Sequence, residues 1–253
     1  MIIHRPPFTI HHFTSLGSTN DHLKEMVGAP EFTCVVADEQ TAGRGRRART
    51  WHSSPGDGLY LSILLLPGTD SSSKLPLISL LAAVAVAETL IEHGVEGVDI
   101  KWPNDALVND RKVSGVLAEA VSDGSDSLRL VLGVGVNLNH QSFPPELSET
   151  ATSVAIVTGE RVVVEEFRDQ LLAKIARWYE HWRRGESALI LDRWGRLSTY
   201  ARDQRVIVTL DDEKIIGVTC GLTETGALRL IVDGGEVKTI LAGEVTRLRK
   251  CAE

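Results

Sequence analysis

Residues 101–121 read KWPNDALVNDRKVSGVLAEAV, and this stretch indicates β-structure in the middle of the chain. The short apolar runs 98–101 and 106–108 predict two strands, and the Asn-Asp pair that follows the second run has the composition of a tight turn. The longer runs 112–121 and 128–138 predict two further strands that pair with each other. Strands therefore dominate the centre of the sequence.

Outward from this centre, helical and extended patterns are interspersed, which predicts a protein of mixed α and β structure. Helices are predicted at residues 20–26, 75–93 and 165–184, and strands at 33–37 and 59–66. After about residue 200 the pattern changes to short strands separated by tight turns, at residues 206–208, 214–220, 227–232 and 237–241. Short strands of this kind are typical of a small β-barrel. We therefore predict two domains, residues 1–197 and 198–253.

The composition is that of a globular chain with an acidic balance. The 253 residues contain 27 Lys and Arg against 34 Asp and Glu, a formal net charge of −7, and 43% of them are hydrophobic. This balance excludes a general nucleic-acid or membrane-surface binder, because phosphate binding needs a positive face. The most apolar stretch, 75–91, contains Pro, Ser, Glu and Thr and is too short to span a bilayer comfortably.

The chain shows neither a signal peptide nor a cysteine framework. Residues 1–13 lack the apolar run that a signal peptide needs. The three cysteines, Cys34, Cys220 and Cys251, lie far apart and show no spacing that suggests zinc. We interpret them as the reduced thiols of a cytoplasmic protein.

An arginine-rich segment, GRGRRARTW at residues 43–51, stands out in a chain of negative net charge. Four arginines fall within the six residues 44–49. Glycines allow a backbone to approach a ligand closely, and guanidinium groups suit phosphate and carboxylate. Three interpretations remain open on the residues alone: a solvated surface loop, a site for a small phosphorylated ligand, or a contact to nucleic acid.

The segment KWPND at residues 101–105 is followed seven positions later by Lys112. Its Asn and Asp are compatible with a simple turn. Lys112 begins a predicted strand in which alternation places Ser114 and Val116 on the same face. Lys112 is therefore either an ordinary charge at a strand edge or an ammonium group directed into a pocket to hold an anion.

The strand GVGVNLN at residues 133–139 has one face almost without side chains. Alternation places Gly133, Gly135 and Asn137 together on that face. Glycine weakens a strand, so such a face indicates close approach by a ligand or by another part of the chain. Both interpretations stay open.

The segment STND at residues 18–21 has the composition of a helix N-cap. A helix N-terminus also binds anions and polar ligand groups, so a second role is open.

Several well-known sites are absent from the sequence. It contains no GxxxxGK[ST] phosphate loop, no GxSxG nucleophile motif and no HExxH zinc motif. The eight histidines show no spacing typical of metal ligands.

The four segments, in this order, resemble the biotin–protein ligase family. Residues 18–20 resemble the family's first motif, and residues 40–46 with Trp51 resemble its arginine-rich adenylate loop. Residues 101–105 and 111–115 resemble its central motif, and residues 133–137 resemble the strand that follows. The resemblance implies an α+β fold, with a mixed sheet and helices packed on it. The region after residue 198 resembles the family's SH3-like C-terminal domain. Ala48 departs from the family, which usually has glycine there, and loop closure can differ if that position needs a positive φ.

The resemblance implies a two-step reaction. The carboxylate of biotin attacks the α-phosphate of MgATP, which gives biotinyl-5′-AMP and pyrophosphate. A specific lysine of a biotin carboxyl carrier domain then attacks the mixed anhydride and releases AMP. ATP and Mg²⁺ are the implied cofactors, and biotin is the substrate. Because two anions must meet, charge neutralisation and alignment are the main tasks.

The resemblance also implies site residues. Catalytic roles fall to Lys112, Arg46 and Arg44. Biotin contacts are expected from Ser18, Thr19, Asn20, Gln40, Gly43, Arg44, Gly45, Arg46, Lys112, Gly115 and Gly133. ATP contacts are expected from Arg46, Arg49, Trp51, Asn104, Asp105, Lys112 and Asn137. No firm metal site is expected, since Mg²⁺ arrives with ATP, and Asp105 is the nearest candidate ligand. A core role for Trp51 is left open.

Three alternatives accompany this interpretation. Many family members also repress transcription through an N-terminal helix-turn-helix domain, but only 17 residues precede Ser18, so we expect the monofunctional type without nucleic-acid binding. Lipoate or octanoate attachment uses a related fold, although the arginine-rich loop favours biotin. A module that only stores biotin or nucleotide would leave that loop unused. We expect no membrane partner, and a homodimer is left open.

Overall fold

The computed structural model describes residues 1–68, 73–121, 128–210 and 213–247, without the side chains of Ala48 and Arg247. The predicted turn at residues 211–212 and Cys251 lie outside the described residues. The elements follow in the order β1 (Ile2–Arg5), β2 (Phe8–Phe13), α1 (Thr19–Glu25), β3 (Thr33–Ala37), β4 (Gly58–Leu65), α2 (Pro76–Glu92), β5 (Val98–Lys101), β6 (Asp105–Val108), β7 (Arg111–Val121), β8 (Arg129–Asn137), α3 (Val154–Thr158), α4 (Val164–Arg183), α5 (Ser187–Leu197), β9 (Arg202–Leu210), β10 (Glu213–Leu222), β11 (Leu228–Ile231), β12 (Val237–Ile240) and β13 (Glu244–Arg247).

Two sheets organise these elements. The larger has the strand order β1-β2-β3-β4-β8-β7-β6-β5, with β2 and β3 parallel and the other neighbours antiparallel. The smaller is antiparallel throughout, in the order β12-β11-β10-β9-β13. The predicted α+β class with a mixed sheet is confirmed, as is an antiparallel C-terminal sheet. Its closure into an SH3-like barrel and the boundary at residue 198 stay predictions.

Both faces of the large sheet are covered in its centre, which makes β4 buried along its whole length. One face packs against α2, α4 and α5. Almost every residue of α2 is apolar and buried, so this helix forms the middle of the core. On the other face, Leu23 of α1 packs with Val35, Leu64 and Val131. Since side chains alternate along a strand, these residues lie opposite the main core. The first helix thus stands over the face that carries Gly133.

The structure contains five elements that sequence patterns did not predict, namely β1, β2, α3, α5 and β13. In β2, two adjacent histidines hide the alternation of Phe8 and Ile10, which are buried. The strand β13 has only four residues, most of them polar, so its apolar pattern is too short to stand out. The described helices include none that is long and apolar enough to cross a membrane.

The small sheet contacts the large one through specific groups. The indole N–H of Trp102 donates to the carbonyl of Gly226, at 2.9 Å, in the turn between β10 and β11. A methyl group on Gly226 would lie 2.8 Å from Leu80 of α2, so only glycine lets this turn approach the helix. Trp102 of the KWPND segment therefore anchors the C-terminal sheet.

Candidate active site

A single cavity of about 550 Å³ collects most of the residues that the sequence singles out. It lies on the α1 side of the large sheet, bounded by the arginine-rich loop, the KWPND segment and β13. Its lining includes the predicted residues Ser18, Thr19, Asn20, Gln40, Arg44, Gly45, Arg46, Arg49, Trp51, Asn104, Asp105, Lys112, Gly115, Gly133 and Asn137. Of the predicted set, Gly43 does not line it. A methyl group there would lie 2.8 Å from the Trp51 carbonyl and 3.0 Å from the Gln40 amide.

One end of the cavity is lined by the neutral hydrogen-bonding residues Ser18, Thr19, Asn20 and Gln40. We call these four residues, together with the buried Ser62 that contacts Thr19 and Asn20, the head end. Ser18 caps α1 by accepting from the N–H of Asp21, at 3.4 Å, as its composition predicts. The N–H of Thr19 donates to Gln40 Oε1 at 2.8 Å, and Thr19 Oγ1 lies 3.0 Å from the same oxygen. The cap is therefore confirmed, and the same segment lines the cavity, where its role in binding polar ligand groups stays a prediction.

Ser62 of β4 completes the head end, although no sequence motif points to it. Its hydroxyl is fully buried and lies 2.8 Å from Thr19 Oγ1 and 2.5 Å from Asn20 Oδ1. The Asn20 amide lies directly on Gly133, where a methyl group would stand 2.9 Å from Asn20 Cγ. The bare face of β8 is thus occupied at Gly133 by a side chain of α1.

The indole of Trp51 occupies the same face two residues further along β8. A methyl group on Gly135 would lie 2.7 Å from its Nε1. This buried N–H finds no hydrogen-bond partner among the described residues. The Lys112 ammonium stands over the ring, 5.4 Å from its centroid, in cation–π geometry. Trp51 therefore forms a wall of the cavity, and its own indole N–H is a donor that the described residues do not use.

The cavity's other end, which we call the charged end, comprises Arg46, Arg49, Asp105 and Lys112. Lys112 Nζ pairs with Asp105 Oδ1 at 2.7 Å, and Lys101 Nζ lies 3.4 Å from Asp105 Oδ2. Arg46 donates to Asn104 Oδ1 at 3.4 Å. Burial lowers the pKa of Arg46, although the charge of Asp105 opposes this effect. Lys101 and Lys112 thus stay close together because both pair with the Asp105 carboxylate.

The orientation of Lys112 corrects a sequence expectation. Regular alternation would place it with Ser114 and Val116. The pairing of β7 with β6 instead shifts register between Ala106 and Leu107, so a β-bulge interrupts the alternation. A methyl group on Gly115 would lie 3.0 Å from Lys112 Nζ, which shows that the ammonium lies on the Gly115 face. The bulge turns this lysine toward the cavity.

The arginine-rich loop is tied to its surroundings by ion pairs. Arg44 contacts Asp21 at 2.5 Å and Glu119 at 3.0 Å, at the rim of the head end. Arg49 binds Glu244 of β13 through both guanidinium nitrogens. This contact raises the pKa of Arg49 and lowers that of Glu244. Hence the loop is not simply a solvated surface segment.

The loop also contains a left-handed backbone residue near its departure from the family pattern. Residues 46–48 form a short 3-10 turn, and Arg47 has φ 55° and ψ 42°. The positive φ value stands one residue before Ala48.

Two residues that are predicted to contact ATP donate hydrogen bonds to backbone carbonyls in the structure. Asn137 donates to the Thr152 carbonyl at 3.1 Å, and Asn104 donates to the Val116 carbonyl. Both line the cavity, so each has a structural role beside the predicted one.

The segment between β8 and α3 forms a wall that sequence reasoning missed. Its residues Phe143, Leu147, Thr150 and Ala151 line the cavity. A backbone hydrogen bond joins this segment to β7, since the backbone N–H of Lys112 donates to the Thr150 carbonyl at 2.7 Å. His140 anchors its start, fully buried and stacked on Phe143. The sequence between these points is polar with two prolines and carries no periodic signal.

The donor set is compatible with Mg²⁺ that arrives with a nucleotide. Among the described residues, no group of three or more His, Cys, Asp or Glu side chains could hold a metal by itself. Mg²⁺ is usually held by one or two carboxylates plus substrate phosphates and water. Asp105, a lone carboxylate within the charged end, fits that requirement.

Family models match both parts of the chain. Residues 13–137 match the Biotin/lipoate A/B protein ligase family, and residues 203–247 match the Biotin protein ligase C terminal domain. A bifunctional ligase/repressor BirA of Bacillus subtilis is 43% identical over 151 residues, covering 58% of this chain. That match spans 46% of the relative, about half its length.

Other relatives match over nearly their whole length. A biotin–[acetyl-CoA-carboxylase] ligase of Paracoccus denitrificans is 34% identical, covering 90% of this chain and 96% of the relative. The structure of a biotin protein ligase from Aquifex aeolicus in complex with biotin and ATP superposes with a TM-score of 0.84 at 31% identity, covering 95% of this chain and 99% of that one. The chain belongs to the biotin protein ligase family.

Proposed function

We propose that this protein is an ATP-dependent biotin–protein ligase. In the first step, a carboxylate oxygen of biotin bonds to the α-phosphorus of ATP and pyrophosphate leaves. In the second, the neutral amine of a carrier lysine bonds to the acyl carbon, AMP leaves, and the amine loses a proton. The resulting amide joins biotin to a carrier domain of a biotin-dependent carboxylase.

The observation that carries this proposal is the division of one cavity into a neutral and a cationic end. Biotin has the same division, with an uncharged cyclic urea at one end and a carboxylate at the other. The hydroxyls and amides of the head end suit the urea, and Lys112 and Arg46 suit the carboxylate and phosphates. The cavity of about 550 Å³ is in the size range of small-molecule sites.

Lys112 and Arg46 act in this proposal by neutralising the reacting oxygens. Their present partners, Asp105 and Asn104, keep both cations near the cavity until an anion takes their place. Positive charge held where negative charge develops stabilises the transition state, because the groups need no reorganisation. Arg44 would have to leave Asp21 or Glu119 to reach the carboxylate.

The nucleotide would lie between the arginine-rich loop and β13. Arg49 and Trp51 would contact it from the loop, and Asn104 and Asn137 from the sheet. When bound, Mg²⁺ would neutralise the triphosphate, with Asp105 as its protein ligand. Trp51 lines this space with its ring.

A lipoate ligase is the second candidate, because the matching family model includes both activities. The head end favours biotin, since a dithiolane ring would leave the hydroxyls and amides there without partners. The cytoplasmic location stays a prediction. The homodimer and the lack of DNA binding stay predictions.

The test of the first step is exchange of labelled pyrophosphate into ATP. We expect exchange with biotin and Mg²⁺, and background exchange with lipoate or octanoate in separate reactions. Exchange that depends on lipoate or octanoate would assign the chain to that activity instead. Binding of biotin without exchange would contradict the proposal and indicate a storage protein.

A further inference from the structure

Glu119 of β7 lies next to the head end, and neither the motifs nor the proposed reaction assigns it a role. Its Oε2 accepts from Asn20 Nδ2 at 2.7 Å and from Arg44 at 3.0 Å, and its Oε1 pairs with Lys24 at 2.8 Å. Burial raises the pKa of Glu119, but the hydrogen bonds from Lys24 and Asn20 and the charges of Lys24 and Arg44 outweigh it, so the pKa is lowered. Glu119 is thus a carboxylate, which only accepts hydrogen bonds.

This carboxylate is the stronger of two acceptors that orient the Asn20 amide, since Asn20 Nδ2 lies 2.7 Å from Glu119 Oε2 and 3.5 Å from the Leu117 carbonyl. The flipped amide would direct Oδ1 at Glu119, where two acceptors would repel each other. Asn20 therefore directs Nδ2 at Glu119 and Oδ1 at Ser62. Because Oδ1 cannot donate, the Ser62 hydroxyl must give its only proton to this contact.

Counting protons then shows a deficit in the head end. Three oxygen pairs are in contact, Asn20–Ser62, Ser62–Thr19 and Thr19–Gln40, but the two hydroxyls supply only two protons. Ser62 is fully buried, so the Thr19 proton is the one that can satisfy its remaining lone pair. Gln40 Oε1 already accepts the Thr19 N–H. Thr19 Oγ1 is also placed to donate to Gln40 Oε1, but one proton cannot serve both contacts. The head end is therefore one proton short next to Thr19 and Gln40, and both residues line the cavity.

We propose that Glu119 is a positioning residue that sets the hydrogen-bond direction along Asn20, Ser62 and Thr19, and thereby makes the head end select ligands with an N–H donor. This inference rests on the proposed function, in which a cyclic urea occupies the head end. An N–H of the urea supplies the missing proton to Thr19 Oγ1 and Gln40 Oε1. Glu119 touches no substrate and acts through Asn20.

The variant Glu119→Gln removes the stronger constraint and leaves only the long 3.5 Å contact with the Leu117 carbonyl. A glutamine amide can donate to Asn20 Oδ1, so Asn20 flips and donates to Ser62. Ser62 then donates to Thr19, and Thr19 donates to Gln40. All three contacts have protons, and the cavity no longer lacks a donor.

The experiment compares biotin with its two isosteres in which one ring N–H of the urea is replaced by oxygen. The wild type should favour biotin over the poorer isostere by about 10- to 100-fold in KM, because two acceptors are otherwise left unpaired. Glu119→Gln should reduce this ratio to a few-fold, mainly by raising the KM for biotin. Asp21→Asn is the matched control, since it takes the other carboxylate from Arg44 without touching Asn20. It should keep the wild-type ratio.

Ser62→Ala provides a second route to the same result. Without the Ser62 hydroxyl, the Thr19 proton is available to Gln40, so the ratio should again shrink. An unchanged ratio in both Glu119→Gln and Ser62→Ala would overturn the inference, as would an equal loss in Asp21→Asn. If the wild type does not turn over biotin, the proposed function fails, while calorimetric Kd values for biotin and the isosteres still test Glu119.

Discussion

The head end and the charged end of the cavity use different kinds of interaction. At the head end, Thr19, Gln40 and Ser62 bind one another through neutral hydrogen bonds on α1, β4 and the adjoining loop. At the charged end, Arg49 and Lys112 are held by carboxylates, one of which comes from the C-terminal sheet. The first arrangement is preorganised for one shape, whereas the second can exchange its carboxylates for substrate anions.

This difference teaches how one cavity can combine recognition with reaction. Neutral groups with fixed partners distinguish a ligand by its donors and acceptors. Paired cations contribute little selectivity, but they provide charge where two anions must meet. We therefore expect changes at the head end to alter KM for biotin, and changes at the charged end to alter the rate and the use of ATP.

The strongest test of the comparison is Lys112→Ala. Adenylation should fall by about 10²- to 10³-fold, the usual effect of losing one charge-stabilising contact, with a smaller change in the Kd for biotin. Pyrophosphate exchange and calorimetry measure the two quantities. Lys238→Ala, at an exposed lysine of β12, is the control and should leave both unchanged. An equal loss of affinity and rate would show that the two ends are not separate.

Gly133→Ala should break the head end. The new methyl group would overlap the Asn20 amide and displace it from Ser62. We expect the KM for biotin to rise by about 10- to 100-fold and the KM for ATP to change little, because about 1–3 kcal/mol accompanies a buried hydrogen bond left unmade. Gly195→Ala, in open space on α5, is the matched control and should keep wild-type kinetics. A rise in the KM for ATP equal to that for biotin would contradict the division.

A smaller effect is expected where the C-terminal sheet contributes to the charged end. Arg49→Ala or Glu244→Gln should raise the KM for ATP by about two- to fivefold, since exposed ion pairs contribute roughly 1 kcal/mol or less. The double variant should resemble either single variant, because both remove the same contact. The exposed pair Arg196 and Asp192 is the control. Additive effects of the two substitutions would show that the Arg49–Glu244 ion pair does not connect the C-terminal sheet to ATP binding.

The last expected effect is on stability and leaves activity at neutral pH unchanged, and it concerns the wall between β8 and α3. Burial lowers the pKa of His140 to about 4, more strongly than the charge of Asp57 opposes it. In the unfolded chain this imidazole titrates near 6.5, so the unfolded state binds more protons between about pH 6.5 and 4. The free energy of unfolding should therefore fall as the pH is lowered through this window.

The variant His140→Asn should reduce the slope of the unfolding free energy against pH by up to about 1.4 kcal/mol per pH unit, which corresponds to one proton. Urea unfolding at several values between pH 7 and pH 4.5 measures the slope for variant and wild type. An identical slope in the two proteins would contradict the assignment to His140.

Local signals were sufficient for much of the fold. Ser18 predicts the start of α1 because an N-cap is a short-range pattern, and its side chain does accept from Asp21. The Asn109-Asp110 pair predicts a tight turn, and both residues have positive φ. The motif residues were found through the family resemblance, which orders segments that spacing alone could not interpret.

The remaining features depend on contacts between distant segments. Ser62 stands in an apolar strand, and only the approach of α1 gives it partners. Glu244 lies 195 residues from Arg49, in a strand too short to be recognised. The face on which Lys112 lies depends on a bulge that alternation cannot anticipate. In each case the deciding information is tertiary.

The most direct test is the mass of a biotin carrier domain after incubation with the protein, MgATP and biotin. The account predicts a gain equal to one biotin minus water, absent without ATP, absent when the carrier's target lysine is replaced by arginine, and strongly reduced with Lys112→Ala. Lipoate offered in place of biotin should give no gain. An unmodified carrier in the presence of bound biotin, or a gain with lipoate instead, would contradict the central claim.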